Sequence, residues 1–267
     1  MGSLRPDSSS VLKGQEALTL MHGGRERMRN PMDSIPQYTR AILKVHLASM
    51  GYDRSDFDEK PVIGVVNSWN EVCPGHYPLR ELAEHVKNGV REAGGFPLEF
   101  NTIALCDAFG QGNAGMRYML PSRDIIADSI ETMVRGGMLF SGLVFLTACD
   151  KITPAMLMAA ARLDLPSIFV SCGPMNHLGP ASVKEKARKE FRGGDIDEED
   201  LIKGNLAFYS GPGVCPFLGT ANTMLAVAEA LGLMLPGTAL IPSGTAARLW
   251  ASRLAGRRGV ELVDCLL

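Results

Sequence analysis

The chain carries four short apolar runs spaced by amphipathic stretches of helical length, and that alternation restricts it to very few architectures. The first run, Pro61-Val-Ile-Gly-Val-Val66, is dense in β-branched residues, as a strand buried on both faces requires. A helix over residues 79–93 precedes a strand candidate at 96–105, a helix over 123–135 precedes one at 141–147, and a helix over 154–163 precedes one at 166–171. Strands alternating with such helices pair in parallel through right-handed crossovers, so the predicted fold class is α/β, a layered parallel sheet flanked by helices. Ligands of such sheets collect beyond the carboxyl ends of the strands.

Around this frame, residues 1–30 mix Ser, Gly and charge without periodicity and read as a flexible N-terminal arm, leaving 31–267 as the α/β domain. A helix is expected at 35–50, followed by a charged turn at 53–60. The charge-dense stretch 183–203 reads as a solvated helix, a loop and the start of a short helix, and 223–233 as a small-residue helix ended by Gly232 and Pro236. The stretch 244–267 also looks helical.

Lys and Arg (27) nearly balance Asp and Glu (29), with no basic block, so a nucleic-acid partner is not expected. Membranes are equally unsupported: the longest apolar stretch, 138–148, falls short of the roughly 20 residues that a spanning helix needs. Six cysteines without a secretion signal point to a reducing, cytoplasmic setting, where clustered thiols mean metal or catalysis. Cys172 and Cys265 read as small buried hydrophobes.

Four segments offer chemistry. Cys149-Asp150-Lys151, closing the run 141–147, puts a soft ligand, a hard ligand and a modifiable amine in one turn. Cys106-Asp107 precedes a glycine-rich stretch, and Asp107 would stand beside Asp150 if their two strands were neighbours. Two carboxylates at one sheet edge repel and call for a cation; otherwise Asp107 starts a turn or caps a helix. Cys215 lies in the Gly/Pro-rich loop Ser210-Gly-Pro-Gly-Val-Cys215-Pro before a helix, whose N-terminal dipole is expected to favour a thiolate. The segment Asn67-Ser-Trp-Asn-Glu-Val-Cys73-Pro-Gly-His76 offers either a further thiolate, Cys73, or an acid–base group, His76, and spacing does not rank them. The chain has no C-x-x-C pair, which disfavours a zinc ribbon. Gly110-Gln-Gly112-Asn-Ala-Gly115 matches the dinucleotide fingerprint only weakly, because a Cys and an Asp precede it and no acidic residue appears in a strand at the expected offset.

Taken together, Asn67-Ser-Trp-Asn, Pro-Gly-His76, Glu-Phe-Asn101-Thr-Ile-Ala, Leu-Pro-Ser122-Arg-Asp-Ile-Ile-Ala-Asp-Ser, Cys149-Asp-Lys-Ile-Thr-Pro and Gly219-Thr-Ala-Asn-Thr-Met resemble the dihydroxy-acid dehydratase and phosphogluconate dehydratase family over about residues 54–263. The resemblance implies that Cys149 and Cys215 bind an iron–sulfur cluster, [2Fe–2S] or [4Fe–4S], with Cys73 and Cys106 as rival third ligands. It implies that Asp107 and Asp150 hold Mg²⁺, and that Lys151 acts in catalysis as a carbamylated ligand of the same ion. The cluster would act as Lewis acid on the departing 3-hydroxyl of a 2,3-dihydroxy acid, while Mg²⁺ holds the carboxylate and the 2-oxygen as the C2 proton leaves. The enol product then ketonises to a 2-oxo acid.

Two departures stand out. Members with a [2Fe–2S] cluster carry their first cysteine at the position of Gly75, whereas this chain has Cys73, and other members have no Cys in that segment. Cys106 resembles the phosphogluconate branch, and Leu-Pro-Ser122-Arg the dihydroxy-acid branch. The resemblance further implies a homodimer, a small-molecule dihydroxy acid as substrate, and a C-terminal domain that completes the site, so little turnover is expected from these residues alone. The expected activity is that of a dihydroxy-acid dehydratase of branched-chain amino-acid synthesis. The alternatives are a sugar-acid dehydratase and a catalytically silent α/β assembly module.

Overall fold

The central strands show why the apolar runs are continuous. In the computed structural model, which describes residues 35–265, β1 (Val62–Asn67) and β3 (Gly142–Thr147) are buried along their whole length. They form the middle of a four-stranded parallel sheet, ordered β2-β1-β3-β4, with β2 at Phe96–Asn101 and β4 at Ser167–Ser171. Val62 pairs with Phe96, Ile63 with Gly142, and Leu143 with Ser167. β2 is an edge strand, which is why it tolerates Pro97 and exposes alternate side chains.

Before the sheet come α1 (Gln37–Ser49) and the single turn α2 (Asp56–Glu59), the latter inside the expected charged turn. Helix α3 (Leu79–Glu92) links β1 to β2. The one-turn α4 (Asp107–Gly110), a 3-10 turn (Ala114–Tyr118) and α5 (Ser122–Gly137) lead to β3, and α6 (Ile152–Leu163) leads to β4. Then follow α7 (Ala181–Gly193), α8 (Glu198–Leu206), α9 (Thr220–Ala230) and α10 (Ala246–Asp264). The expected arm at 1–30 lies outside the described residues.

The chain moves one way from β1 to β2 and the other way from β3 to β4, so the strand order reverses between the adjacent strands β1 and β3. Right-handed crossovers then put α3 on one face and α5 and α6 on the other. The carboxyl ends of β1 and β3 flank the crevice that such a reversal leaves open.

Several sequence-derived boundaries move, among them the small-residue helix expected at 223–233, which runs from Thr220 to Ala230. The strand expected at 96–105 ends at Asn101, because after Thr102 donates to Asn67 O (2.9 Å) the chain leaves the ladder and Asn70 Nδ2 holds Ala104 O at 3.0 Å. Helix α6 begins at Ile152, before Pro154, because a first-turn residue needs no N–H partner. The charged stretch 183–203 forms two helices, α7 and α8, and Asp197 caps the second by accepting from Asp200 N at 2.9 Å.

Helices α3 and α10 cross backbone to backbone. A Cβ built on Gly89 would lie 1.9 Å from Arg253 O, and one on Gly256 would lie 2.1 Å from Val86 O. Behind them, Val260 and Val263 of α10 are buried with the sheet residues Ile63 and Val144. Among the described residues, three non-glycine residues have left-handed backbone: Met138 and Asp164 end helices, whereas Cys149 (φ 63°) sits at the exit of β3 and ends none. That conformation costs an L-residue on the order of 1–2 kcal/mol.

Two mutant pairs test these packing and strain arguments. Gly256→Ala should destabilise the chain by about 2 kcal/mol or more in urea unfolding, because the new methyl meets backbone. Gly136→Ala, on α5 with nothing within 4 Å, should stabilise it by roughly 0.5–1 kcal/mol. Equal midpoints for the two would contradict the close crossing. Cys149→Gly should be more stable than Cys149→Ala by about 1 kcal/mol, since only glycine removes the strain as well as the sulfur; an alanine variant at least as stable would contradict it.

Candidate metal centre

Three loops deliver thiols to the crevice. The turn after β1 carries Cys73, buried, and closes on itself where His76 N donates to Cys73 O at 2.9 Å. Cys149 follows β3, and its sulfur lies 3.8 Å from that of Cys73. Cys106, the residue before α4, has its thiol within hydrogen-bonding reach of Cys73. The close approach depends on Gly75, since a Cβ there would come 2.8 Å from Cys149 Sγ. Cys73 is thus brought to Cys149 although it precedes the expected family position, Gly75, by two residues.

Crowding sets the electrostatics. At Cys73 the contact with Cys106 favours ionisation, but the contact with Cys149 and burial outweigh it and push the thiol up to about 12. At Cys149 the contact with Cys73 also lowers the pKa, and burial with the charges of Cys172, Cys106 and Cys215 raises it overall. Cys106 is raised by its contact with Cys73 and by burial. Sulfurs gathered this way ionise together only around a cation, and thiolates select soft metals or iron–sulfur clusters.

Cys215 is exposed and near enough for its charge to act on Cys149, while its own ionisation feels Cys106 and Asp150. Helix α9 starts only at Thr220, and partial burial followed by the charge of Cys106 raises the Cys215 pKa. The loop is instead pinned by Asn222 Nδ2, which donates to Cys215 O (2.8 Å) and Phe217 O (2.7 Å). It does not follow a strand of the sheet, unlike the other segments.

Beside the thiols stand the two carboxylates. β2 and β3 are not neighbours, because β1 lies between them, so the condition stated for their meeting fails. They meet nonetheless, through Lys151: its Nζ donates to Asp107 Oδ2 at 2.8 Å and to Asp150 Oδ2 at 2.5 Å. Burial works against the ammonium, but the hydrogen bonds to the two carboxylates outweigh it and raise the Lys151 pKa. Asp107 is the first residue of α4 and makes no capping bond, and its Oδ1 is buried without a hydrogen-bond partner. An orphaned carboxylate oxygen between two like charges is suited to a hard cation such as Mg²⁺.

The structure ranks what spacing left open at His76. The ring is fully buried, with Nδ1 2.8 Å from Ser68 Oγ and Nε2 without a hydrogen-bond partner. Burial pushes its pKa down to about 3, despite the nearby Ser68 and Ala148 carbonyls, which favours the neutral ring. Cys73, His76 and Cys149 each offer a ligand atom within 4.8 Å of the others. Sequence reasoning missed Ser68, which orients the ring, and the role of Gly75; only the adjacency of Pro74 and Gly75 hinted at a tight approach. Cys172 is buried, as expected, whereas Cys265 is exposed, contrary to its reading as a buried hydrophobe.

Next to Cys106 opens a cavity of about 640 Å³ with a mostly apolar lining that includes Val72, Leu105, Phe109 and Met119. No described helix is long and apolar enough to cross a membrane.

Several known proteins are similar to this chain over most of its length. A dihydroxy-acid dehydratase of Ignicoccus hospitalis is 49% identical over 216 residues, covering 77% of this chain and 38% of that protein. One of Caldicellulosiruptor bescii is 45% identical over 245 residues, covering 90% and 43%. One of Pyrococcus abyssi is 44% identical over 232 residues, covering 84% and 41%. The chain therefore spans about two fifths of the length of the curated relatives it matches. Residues 60–266 match the family described as dihydroxy-acid/6-phosphogluconate dehydratase, N-terminal, and with relatives this similar the chain belongs to that family.

Proposed function

We propose that this chain forms the cluster- and Mg²⁺-binding part of a hydro-lyase that removes water from a 2,3-dihydroxy carboxylic acid. The observation that carries the reading is the juxtaposition of clustered thiols with two carboxylates bridged by Lys151. When bound, an iron–sulfur cluster and Mg²⁺ would supply the Lewis acidity that draws off the 3-hydroxyl and holds the substrate carboxylate. Cys149 and Cys215 would hold the cluster with Cys73 or Cys106, and Asp107 and Asp150 the Mg²⁺. The net change is loss of the C2 proton and the C3 hydroxide, leaving an enol that becomes a 2-oxo acid.

In this reading the Lys151 ammonium holds the place of the divalent ion. Its neutral amine would add CO₂ and release one proton, turning a cation into a third anionic ligand. The raised pKa opposes that step until Mg²⁺ competes for the carboxylates. His76, neutral and enclosed, would shape the thiol pocket without moving a proton. The apolar cavity beside Cys106 suits a branched aliphatic substituent better than a polyhydroxylated one, which favours a branched-chain dihydroxy acid over an aldonate.

Anaerobic reconstitution should load the chain with iron and acid-labile sulfide, and Cys149→Ser should lose most of both; a well-folded protein that takes up neither points to the silent assembly module. Lys151→Met should weaken Mg²⁺ binding at least about tenfold and abolish the ¹³C carbamate signal formed with labelled bicarbonate, leaving iron content unchanged. Unaltered Mg²⁺ affinity would contradict the role of Lys151. Assayed on the gene's full product, 2,3-dihydroxyisovalerate should be turned over, and exclusive turnover of aldonates would overturn the substrate class.

A further inference from the structure

The sulfurs of Cys73 and Cys149 are spaced for sharing one ion. Two thiolates bound at ~2.3 Å with a tetrahedral angle between them stand about 3.8 Å apart. The observed separation is 3.8 Å. Two thiolates on a single iron of a [2Fe–2S] cluster share that spacing, whereas those on separate irons of a cubane stand farther apart.

The third donor is set by its partner. Ser68 Oγ donates its single proton to Leu146 O at 2.9 Å, so at 2.8 Å from His76 Nδ1 it acts as acceptor. The imidazole proton is therefore on Nδ1, and Nε2 carries a bare lone pair. That nitrogen is fully buried and has no hydrogen-bond partner. Among described groups, Cys73, His76 and Cys149 each offer one ligand atom, a ring nitrogen in the case of His76, and these atoms all lie within 4.8 Å of one another; with Nδ1 engaged by Ser68, Nε2 is the nitrogen left without a hydrogen bond. A metal-bound histidine usually donates its other ring N–H to a carboxylate, backbone carbonyl or water, and here the Ser68 hydroxyl takes that place. The backbone is also shaped for the approach, by the left-handed Cys149 and by the missing side chain at Gly75.

We propose that Cys73, Cys149 and His76 form a site for a single soft divalent ion of the zinc class, and that this ion competes with an iron–sulfur cluster for Cys149. Each thiol gives up its proton to solvent on binding, and the neutral imidazole gives up none. Cys106, whose thiol interacts with that of Cys73, offers a further donor for a fourth position. The zinc site stands independently of the cluster reading; only the competition rests on it.

The test uses the reduced, metal-free chain titrated with Co²⁺ as a probe and then with Zn²⁺. One equivalent of Co²⁺ should give a sulfur-to-cobalt charge-transfer band with tetrahedral visible bands, all displaced by Zn²⁺. Cys73→Ser and Cys149→Ser should weaken binding at least about 100-fold and His76→Gln at least about tenfold, with folding checked by circular dichroism, whereas Cys215→Ser should leave it unchanged. No stoichiometric band, a band that survives both serine substitutions at positions 73 and 149, or one lost with Cys215→Ser would overturn the site. X-ray absorption of the zinc-loaded wild type needs no variant: mixed sulfur and nitrogen neighbours are expected, and a shell without sulfur, or of sulfur alone, contradicts it. Preloaded zinc should also block iron and sulfide uptake, and uptake at the zinc-free level would overturn the competition. A zinc-free chain that takes up no iron would sink the cluster reading and leave the zinc result intact.

Discussion

Like charges held close in a partly dehydrated crevice must be neutralised, and that constraint organises this molecule. At the reversal point of the sheet, thiols gather from the turns after β1 and β3 and from the start of α4, and two carboxylates converge on one lysine. Each set is costly if it ionises alone. The Lys151 ammonium relieves the acids, and the thiols stay protonated, Cys73 being pushed up to about 12. A hard cation and a soft metal centre, side by side, would relieve both sets at once and turn the same crowding into binding energy.

The scaffold accommodates this crowding through its backbone. Cys149 is held in a left-handed conformation that no helix end requires, and Gly75 leaves the space into which its sulfur points. On the far side, α3 and α10 approach so closely that Gly89 and Gly256 admit no side chain. Rigid packing behind the sheet and local strain in front of it are what let two loops meet at a fixed distance.

The fold was readable because its signal is local. β1, β3 and β4 are apolar along most of their length, and each helix showed its own period, so the strand order was the main unknown. The site was readable only as ingredients. That Asp107 and Asp150 meet across an intervening strand depends on the reach of Lys151, which no spacing reveals. No spacing reveals that the His76 ring is fully buried, or that α9 begins only at Thr220, past the Cys215 loop. The absence of a C-x-x-C pair disfavoured a ribbon but not a site built from two loops, because such a site has no fixed sequence interval.

The central claim is that soft and hard metal sites adjoin at the ends of β1 and β3. Crystallographic anomalous difference maps of the anaerobically reconstituted chain, collected on both sides of the iron absorption edge, test it most directly. The account predicts an iron peak within bonding distance of Cys149 Sγ and beside the Asp107–Lys151–Asp150 group. An ordered structure with its iron elsewhere, or with Cys149 uncoordinated while iron is bound, would contradict it.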